Sequence, residues 1–218
     1  MLRVILPLAL GVLAGPATAC DVALLLAVDV SGSISPGEYT FQMQGLAYAL
    51  QDDDIIRALV DGQDALALVQ WSGDGYQQLS LPWVALHTAA DVAGLAEVIS
   101  RTPRPGNYTD TAIGEAIHFS IAQFAAAPNC KRTVIDVSGD GEENDGMTLP
   151  AARAEAVADG VTVNGVAIEI GEGTTALTDY YRQFVATPEG FVMTAAGLKD
   201  FPRAIHAKLL RELTKPVS

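Results

Sequence analysis

The chain is short of histidine, cysteine and basic residues, and each shortage removes a class of function. The three histidines, His87, His118 and His206, show no ligand spacing, so neither a zinc centre nor a Ser–His nucleophile has support. Each reads as a surface helix or loop residue. Lys and Arg number 13 against 26 Asp and Glu, a net charge of −13. Such a surface repels phosphate backbones and anionic lipid and does not suit nucleic acid as a partner. Beyond the first residues, no stretch is both long and charge-free enough for a membrane-spanning helix, which needs about 20 apolar residues. No internal repeat or low-complexity linker interrupts the sequence.

Residues 1–19 carry one early positive charge, Arg3, an apolar stretch over 4–14, and Ala17-Thr18-Ala19 just before Cys20. This pattern predicts a cleaved secretory signal and an exported chain, periplasmic or secreted and soluble after cleavage. Residues 20–218 fit one domain with a substantial core. An oxidising compartment permits Cys20 and Cys130 to bridge. Each cysteine stands just ahead of a predicted strand that ends in an aspartate, so parallel neighbouring strands would bring both thiols to one edge of the sheet. The closed loop would span about 110 residues, for which chain entropy sets a ceiling of about 4 to 5 kcal/mol. The alternative is a lipidated Cys20, although Ala17 stands where such sites usually carry Leu.

Apolar runs alternate with helical periodicity along the chain, which predicts an open, doubly wound α/β fold with a mostly parallel sheet and helices on both faces. Strands are expected at 22–28, 65–71, 132–137, 161–168 and 191–194, with a short antiparallel edge strand at 76–81 after the Gly73-Asp74-Gly75 turn. The first is apolar throughout, as a central strand covered on both faces requires. Helices are expected at 36–50, with Ser35 as N-cap and Pro36 in the first turn, and at 88–100, 109–124, 148–159, 177–186 and 198–213. In 109–124 the residues Ile113, Ala116, Ile117, Ile121 and Phe124 form one buried face. Asp52-Asp53-Asp54 reads as a charge run at a helix terminus.

The most informative segment is Asp29-Val30-Ser31-Gly32-Ser33, which places a carboxylate and two hydroxyls where a buried strand ends. Oxygen donors of this kind suit a hard cation, and the carboxyl ends of strands are where open α/β sheets hold their ligands. A second aspartate, Asp140, ends the run 133–140 and enters a Gly-containing loop. A third contribution is expected from Thr109 in the loop 106–111, with Thr111 as the alternative hydroxyl. Taken singly, each motif is also ordinary helix-capping or loop chemistry.

Asp-x-Ser-x-Ser after the first strand, a Thr before a middle helix and Ser-Gly-Asp-Gly after the fourth strand together resemble the von Willebrand factor A-type domain, over nearly all of residues 20–218. The signal, the Cys-Asp start and Asp136-Val137-Ser138-Gly139-Asp140-Gly141 resemble, more narrowly, a bacterial exported branch of unassigned function. The resemblance implies a metal-ion-dependent adhesion site in which Ser31, Ser33 and Thr109 offer hydroxyl oxygens and Asp29 and Asp140 hold the ion directly or through water. The implied ion is Mg²⁺, with Mn²⁺ or Ca²⁺ as alternatives. In that family a carboxylate of a protein or peptide partner completes the coordination, which gives metal-dependent binding and not catalysis. Two other readings stay open: a metal-dependent hydrolase with Glu142 as the nearby base, and a scaffold whose metal only orders the loops.

Other signals carry less. Residues 171–176 match a loose dinucleotide loop, but Glu172 would repel a pyrophosphate. Residues 140–151 fail as an EF-hand, with Asp145 at the position that needs Gly and Ala151 at the one that needs Glu. Glu142, Glu143 and Asp145 form either an acidic rim or a solvated loop. Asp136, inside a predicted central strand, needs a partner such as Arg132 or a polar group on the sheet face, because unpaired burial is costly. Neither oligomeric state nor the identity of the partner has a readable signal.

Overall fold

The computed structural model describes residues 20–106, 109–171 and 173–214. The leader read at 1–19 and Glu172 of the glycine loop lie outside them. The strands are β1 (Cys20–Asp29), β2 (Ala65–Trp71), β3 (Gln77–Ala85), β4 (Cys130–Gly139), β5 (Val161–Ile168) and β6 (Val192–Ala195). They form one sheet in the order β3-β2-β1-β4-β5-β6, parallel throughout except for β3, which runs antiparallel at the edge. The helices are α1 (Pro36–Ala49), α2 (Asp53–Asp61), α3 (Ala89–Arg101), α4 (Ile113–Gln123), α5 (Leu149–Ala158), α6 (Ala176–Tyr180) and α7 (Phe201–Leu213). None of the described helices is long and apolar enough to cross a membrane.

The apolar run of β1 feeds two cores because successive side chains of a strand point to opposite faces. Val22, Leu24, Leu26 and Val28 pack with Met43 and Leu46 of α1, Ile55 of α2, Leu95 of α3 and Ile205 of α7. Leu25 and Ala27 pack on the other side with Ile113 and Ile117 of α4, Ala152 of α5 and Leu177 of α6. The centre of the fold is therefore the β1–β4 pair, and their carboxyl ends lie next to each other.

Several elements differ from the sequence expectation for identifiable reasons. The edge strand continues past Leu81 through Pro82 to Ala85; an edge tolerates proline because one side of the strand needs no N–H donor. The charge run 52–54 opens a helix, α2, where the Asp52 carboxylate accepts from the Asp54 and Ile55 amides. Helix α4 begins at Ile113 and not at 109, with no side-chain cap of its own. Its first-turn amide at Gly114, without a partner inside the helix, is taken up by Glu143 Oε2 at 2.7 Å, so residues 109–112 stay in the loop. The expected helix 177–186 is a short α6 followed by a π-helical turn over Tyr181–Val185. At Ser35 the expected cap is present as a capping box with Glu38.

Cys20 and Cys130 are register partners at the start of β1 and β4 and form a disulfide, with Cα atoms 4.2 Å apart. That sulfur cannot also carry a lipid. Asp136 is buried and pairs with Lys208 of α7 rather than with Arg132. The Arg132 guanidinium instead donates to the Glu212 carbonyl at 2.9 Å. Lys208 also donates to Glu212 Oε2 at 2.8 Å, and Asn164 of β5 donates to both Glu212 carboxylate oxygens at 2.8 Å. A polar knot of four buried residues thus joins α7 to β4 and β5.

Candidate metal centre

Asp29 is the last residue of β1 and is fully buried. Chain geometry fixes it there: the Val30 amide donates to the Trp71 carbonyl at 2.9 Å, prolonging the β1–β2 ladder by one bond. Past that point the chain turns, with the Ile34 amide on the Ser31 carbonyl at 3.1 Å. The Arg104 guanidinium, from the loop after α3, donates to both the Val30 and Ser31 carbonyls at 2.8 Å and pins the turn to the body of the domain.

Four of the expected residues form one chain of contacts. Asp29 Oδ1 accepts from the Ser31 amide at 2.7 Å, Ser31 Oγ lies 3.1 Å from Ser33 Oγ, and Ser33 Oγ donates to Asp140 Oδ1 at 2.5 Å. Asp29 Oδ2 has no hydrogen-bond partner among the described residues although it is buried. Burial pushes the Asp29 carboxyl up to about 7, with the Asp140 charge adding to the rise and hydrogen bonds from Ser31 opposing it. Asp140, half-buried, is raised chiefly by burial, with the Ser33 hydrogen bond working against the rise.

The threonine loop is held between two others. Ser72 Oγ donates to the Asp110 carbonyl at 2.8 Å and the Ala112 amide donates to the Ser72 carbonyl at 2.9 Å, tying it to the end of β2. The Thr111 amide donates to Asn144 Oδ1 and the Asn144 amide to the Thr111 carbonyl, both at 2.9 Å, tying it to the loop after β4. Within it Thr109 is exposed, and its hydroxyl donates to Asp110 Oδ2 at 2.8 Å. Thr111 is buried and faces the backbone of Gly141, the residue after Asp140.

The acidic loop after β4 is mostly internal tie rather than rim. Glu143 accepts from the amides that open α4 and α5, at Gly114 and Leu149, and Asp145 Oδ2 accepts from the Asp74 amide at 2.8 Å. Sequence reasoning did not single out Arg104, Gly139 or Tyr181 at this centre. No spacing rule links a guanidinium 75 residues away, or a helix near the other end of the chain, to Asp29; only the fold does.

The donors fit a hard cation. Two carboxylates and neighbouring hydroxyls make an all-oxygen set, and a buried carboxylate oxygen without a donor is the kind of atom a cation satisfies. Among the described residues there is no group of three or more His, Cys, Asp or Glu able to hold a metal. A cation here would therefore depend on Ser and Thr oxygens for much of its shell, with water completing it.

Solved structures share this fold at low sequence identity. Proximal thread matrix protein 1 from the mussel byssus aligns over 88% of this chain and 49% of its own, with a TM-score of 0.66 and 19% identity. The chain thus spans about half the length of that protein. A von Willebrand factor type A protein from Catenulispora acidiphila aligns over 91% of this chain and 44% of its own, at TM-score 0.61 and 16% identity. Another structure of the mussel protein, described with a zinc-occupied MIDAS motif, aligns over 89% of this chain and 48% of its own, at TM-score 0.58 and 20% identity. The architecture is therefore of the von Willebrand A type. No curated protein matches the chain. By sequence the chain belongs to the family described as "Protein of unknown function (DUF1194)", which matches residues 19–217.

Proposed function

We propose that this chain is an exported, adhesion-type binding module that holds a Mg²⁺-type cation at Asp29, Ser31, Ser33, Thr109 and Asp140 and uses it to take a carboxylate from a protein or peptide partner. The observation that carries the reading is Asp29 Oδ2, a buried carboxylate oxygen without a donor at the head of the Ser31–Ser33–Asp140 chain. Left alone, such a carboxylate is penalised by burial and by its acidic neighbour, which is why its proton is held to about 7. A divalent cation supplies charge compensation for both aspartates and a Lewis-acidic position for one more oxygen ligand.

The protein's own part is positioning. The β1–β2 ladder and Arg104 hold Asp29 and Ser31 in place, and Ser33 bridges to Asp140, so two loops keep one geometry before any partner arrives. Thr109 is exposed, and turning its hydroxyl inward exchanges only the surface hydrogen bond to Asp110. We read the module as a binder and not an enzyme, because Asp29 and Asp140 are assigned here to the cation and Glu142 is the only nearby acidic residue read as a candidate base. The Cys20–Cys130 bridge accords with an oxidising compartment and so with export. Calorimetry with Mn²⁺ and Mg²⁺ tests the reading: the wild type binds and Asp29→Ala does not. Unchanged binding in Asp29→Ala sinks it. Capture of envelope proteins on the immobilised domain, with Mg²⁺ and then with EDTA, tests the partner half, and a captured set insensitive to EDTA argues against it.

A further inference from the structure

We propose that Tyr181 is the positioning residue for Asp29, its hydroxyl donating to Asp29 Oδ2 after a small side-chain rotation from the positions in this structure, where the two atoms flank Gly139 without bonding to each other; the purpose of this contact rests on the metal-binding reading above. Tyr181 is fully buried and opens the π-helical turn Tyr181–Val185. Single π turns put an extra residue into a helix and re-aim the side chains around it. Its Oη, like Asp29 Oδ2, has no partner among the described residues. Both unpartnered atoms flank the same point of β4: a Cβ built on Gly139 would stand 2.7 Å from Tyr181 Oη and 2.9 Å from Asp29 Oδ2. A second glycine makes room for the ring, since a Cβ on Gly165 of β5 would stand 2.8 Å from Tyr181 Cδ1. The ring thus lies against two side-chain-free positions on neighbouring strands, with its hydroxyl toward the end of β1.

The chemistry of the two atoms is complementary, because a phenol can donate and a carboxylate oxygen accepts. Packing alone would be served by phenylalanine, whereas a buried hydroxyl with no partner is costly. A donor on Oδ2 also fixes the rotation of the carboxylate, and so the direction of the oxygens offered to a cation. Outer partners of metal ligands commonly act in this way.

Tyr181→Phe tests the assignment, with Tyr180→Phe as control. With the metal, Tyr181→Phe weakens Mn²⁺ binding about 10- to 100-fold, the range seen for lost outer-shell partners. It also abolishes the tyrosine ultraviolet difference spectrum produced by adding Mg²⁺, while Tyr180→Phe changes neither. Without metal, the melting-temperature shifts of Tyr181→Phe and Asp29→Asn are non-additive in a double-mutant cycle. Wild-type Mn²⁺ affinity in Tyr181→Phe, or additive shifts in the cycle, overturns the proposal. Should wild-type protein bind no Mn²⁺, the metal reading fails, and the metal-free cycle alone decides the Tyr181–Asp29 contact. If Tyr181→Phe does not fold, ring-labelled tyrosine is read by nuclear magnetic resonance in wild type and Asp29→Asn, and a Tyr181 resonance that does not move overturns it.

Discussion

Two buried aspartates on neighbouring strands meet opposite ends. Asp136, in the middle of β4, and Asp29, at the tip of β1, are both raised by burial, to about 6 and about 7. Asp136 has its counter-charge built in: Lys208 reaches it from α7, and Glu212 and Asn164 close the knot. Burial works against the Lys208 ammonium, yet Asp136 and Glu212 hold its pKa above the usual lysine range. Asp29 meets the Ser31 hydroxyl, the Ser31 and Asp140 amides and a second carboxylate, and no cationic side chain among the described residues pairs with it. The same desolvation is answered inside the fold in one case and, under the proposed function, by an outside cation in the other, which would separate a structural carboxylate from a binding one.

The largest expected effect breaks the internal pair. Lys208→Met leaves Asp136 and Glu212 buried together without a cation, and removing one partner of a buried pair typically costs about 3 to 5 kcal/mol. A urea midpoint well below wild type at neutral pH is the expected result. An unchanged midpoint would mean that the knot adds nothing to stability.

The companion change at Asp29 has the opposite sign. Asp29→Asn keeps an oxygen for the Ser31 amide and removes a buried charge that hydrogen bonds offset only in part and no cationic side chain among the described residues neutralises, so the metal-free protein gains about 1 to 3 kcal/mol at neutral pH. The gain vanishes or reverses in saturating Mg²⁺, where only the wild type is stabilised by binding. Melting curves with and without Mg²⁺ check both halves. A destabilised metal-free Asp29→Asn would place Asp29 with Asp136 as a structural residue.

A smaller effect follows from pH. For a carboxyl whose folded pKa, about 7, exceeds its ordinary value of 3.8, the folded state binds the extra proton between those limits. Its stabilising contribution is complete below the lower value and is lost as pH rises through the upper one. Asp64, raised to about 7 mainly by its own burial, contributes in the same window. Metal-free stability therefore declines from mildly acidic to neutral pH. Asp29→Asn removes part of that slope, and Mg²⁺ flattens it by favouring the carboxylate. A slope untouched by either would leave Asp64 and Asp136 as its sources.

Strand pattern and end chemistry were legible in sequence because burial on both faces of β1 forces an unbroken apolar run, and Asp29, Ser31 and Ser33 follow it without interruption. The Cys20–Cys130 pairing was legible too, since each cysteine stands a similar distance ahead of a strand-ending aspartate and similar distances on parallel neighbours translate into register. What escaped depends on contacts between distant segments. Lys208 as partner of Asp136 is set by where α7 crosses the sheet, and Tyr181 by a π turn that helical periodicity does not reveal. The start of α4 escaped because Glu143, in another loop, and no local side chain, satisfies the amide of its second residue, Gly114.

The finest distinction concerns the threonine loop. Thr109 and Thr111 both offer a hydroxyl, but their surroundings differ: Thr111 is buried and its amide and carbonyl are locked to Asn144, whereas Thr109 is exposed and its hydroxyl donates to its neighbour Asp110. An exposed hydrogen bond is worth about 1 kcal/mol, so Thr109 can exchange it for a metal contact at little cost, while Thr111 cannot move without breaking the tie between loops. Thr109→Ala is then expected to weaken Mn²⁺ binding about five-fold, the equivalent of one such contact, with melting temperature unchanged. Thr111→Ala should change affinity by less than about two-fold, because it removes a hydroxyl and keeps the backbone bonds that hold the loop. Isothermal titration of both variants decides the order, and a larger loss in Thr111→Ala would move the fifth donor two residues along and make the buried hydroxyl, not the exposed one, the partner of Asp29 and Asp140.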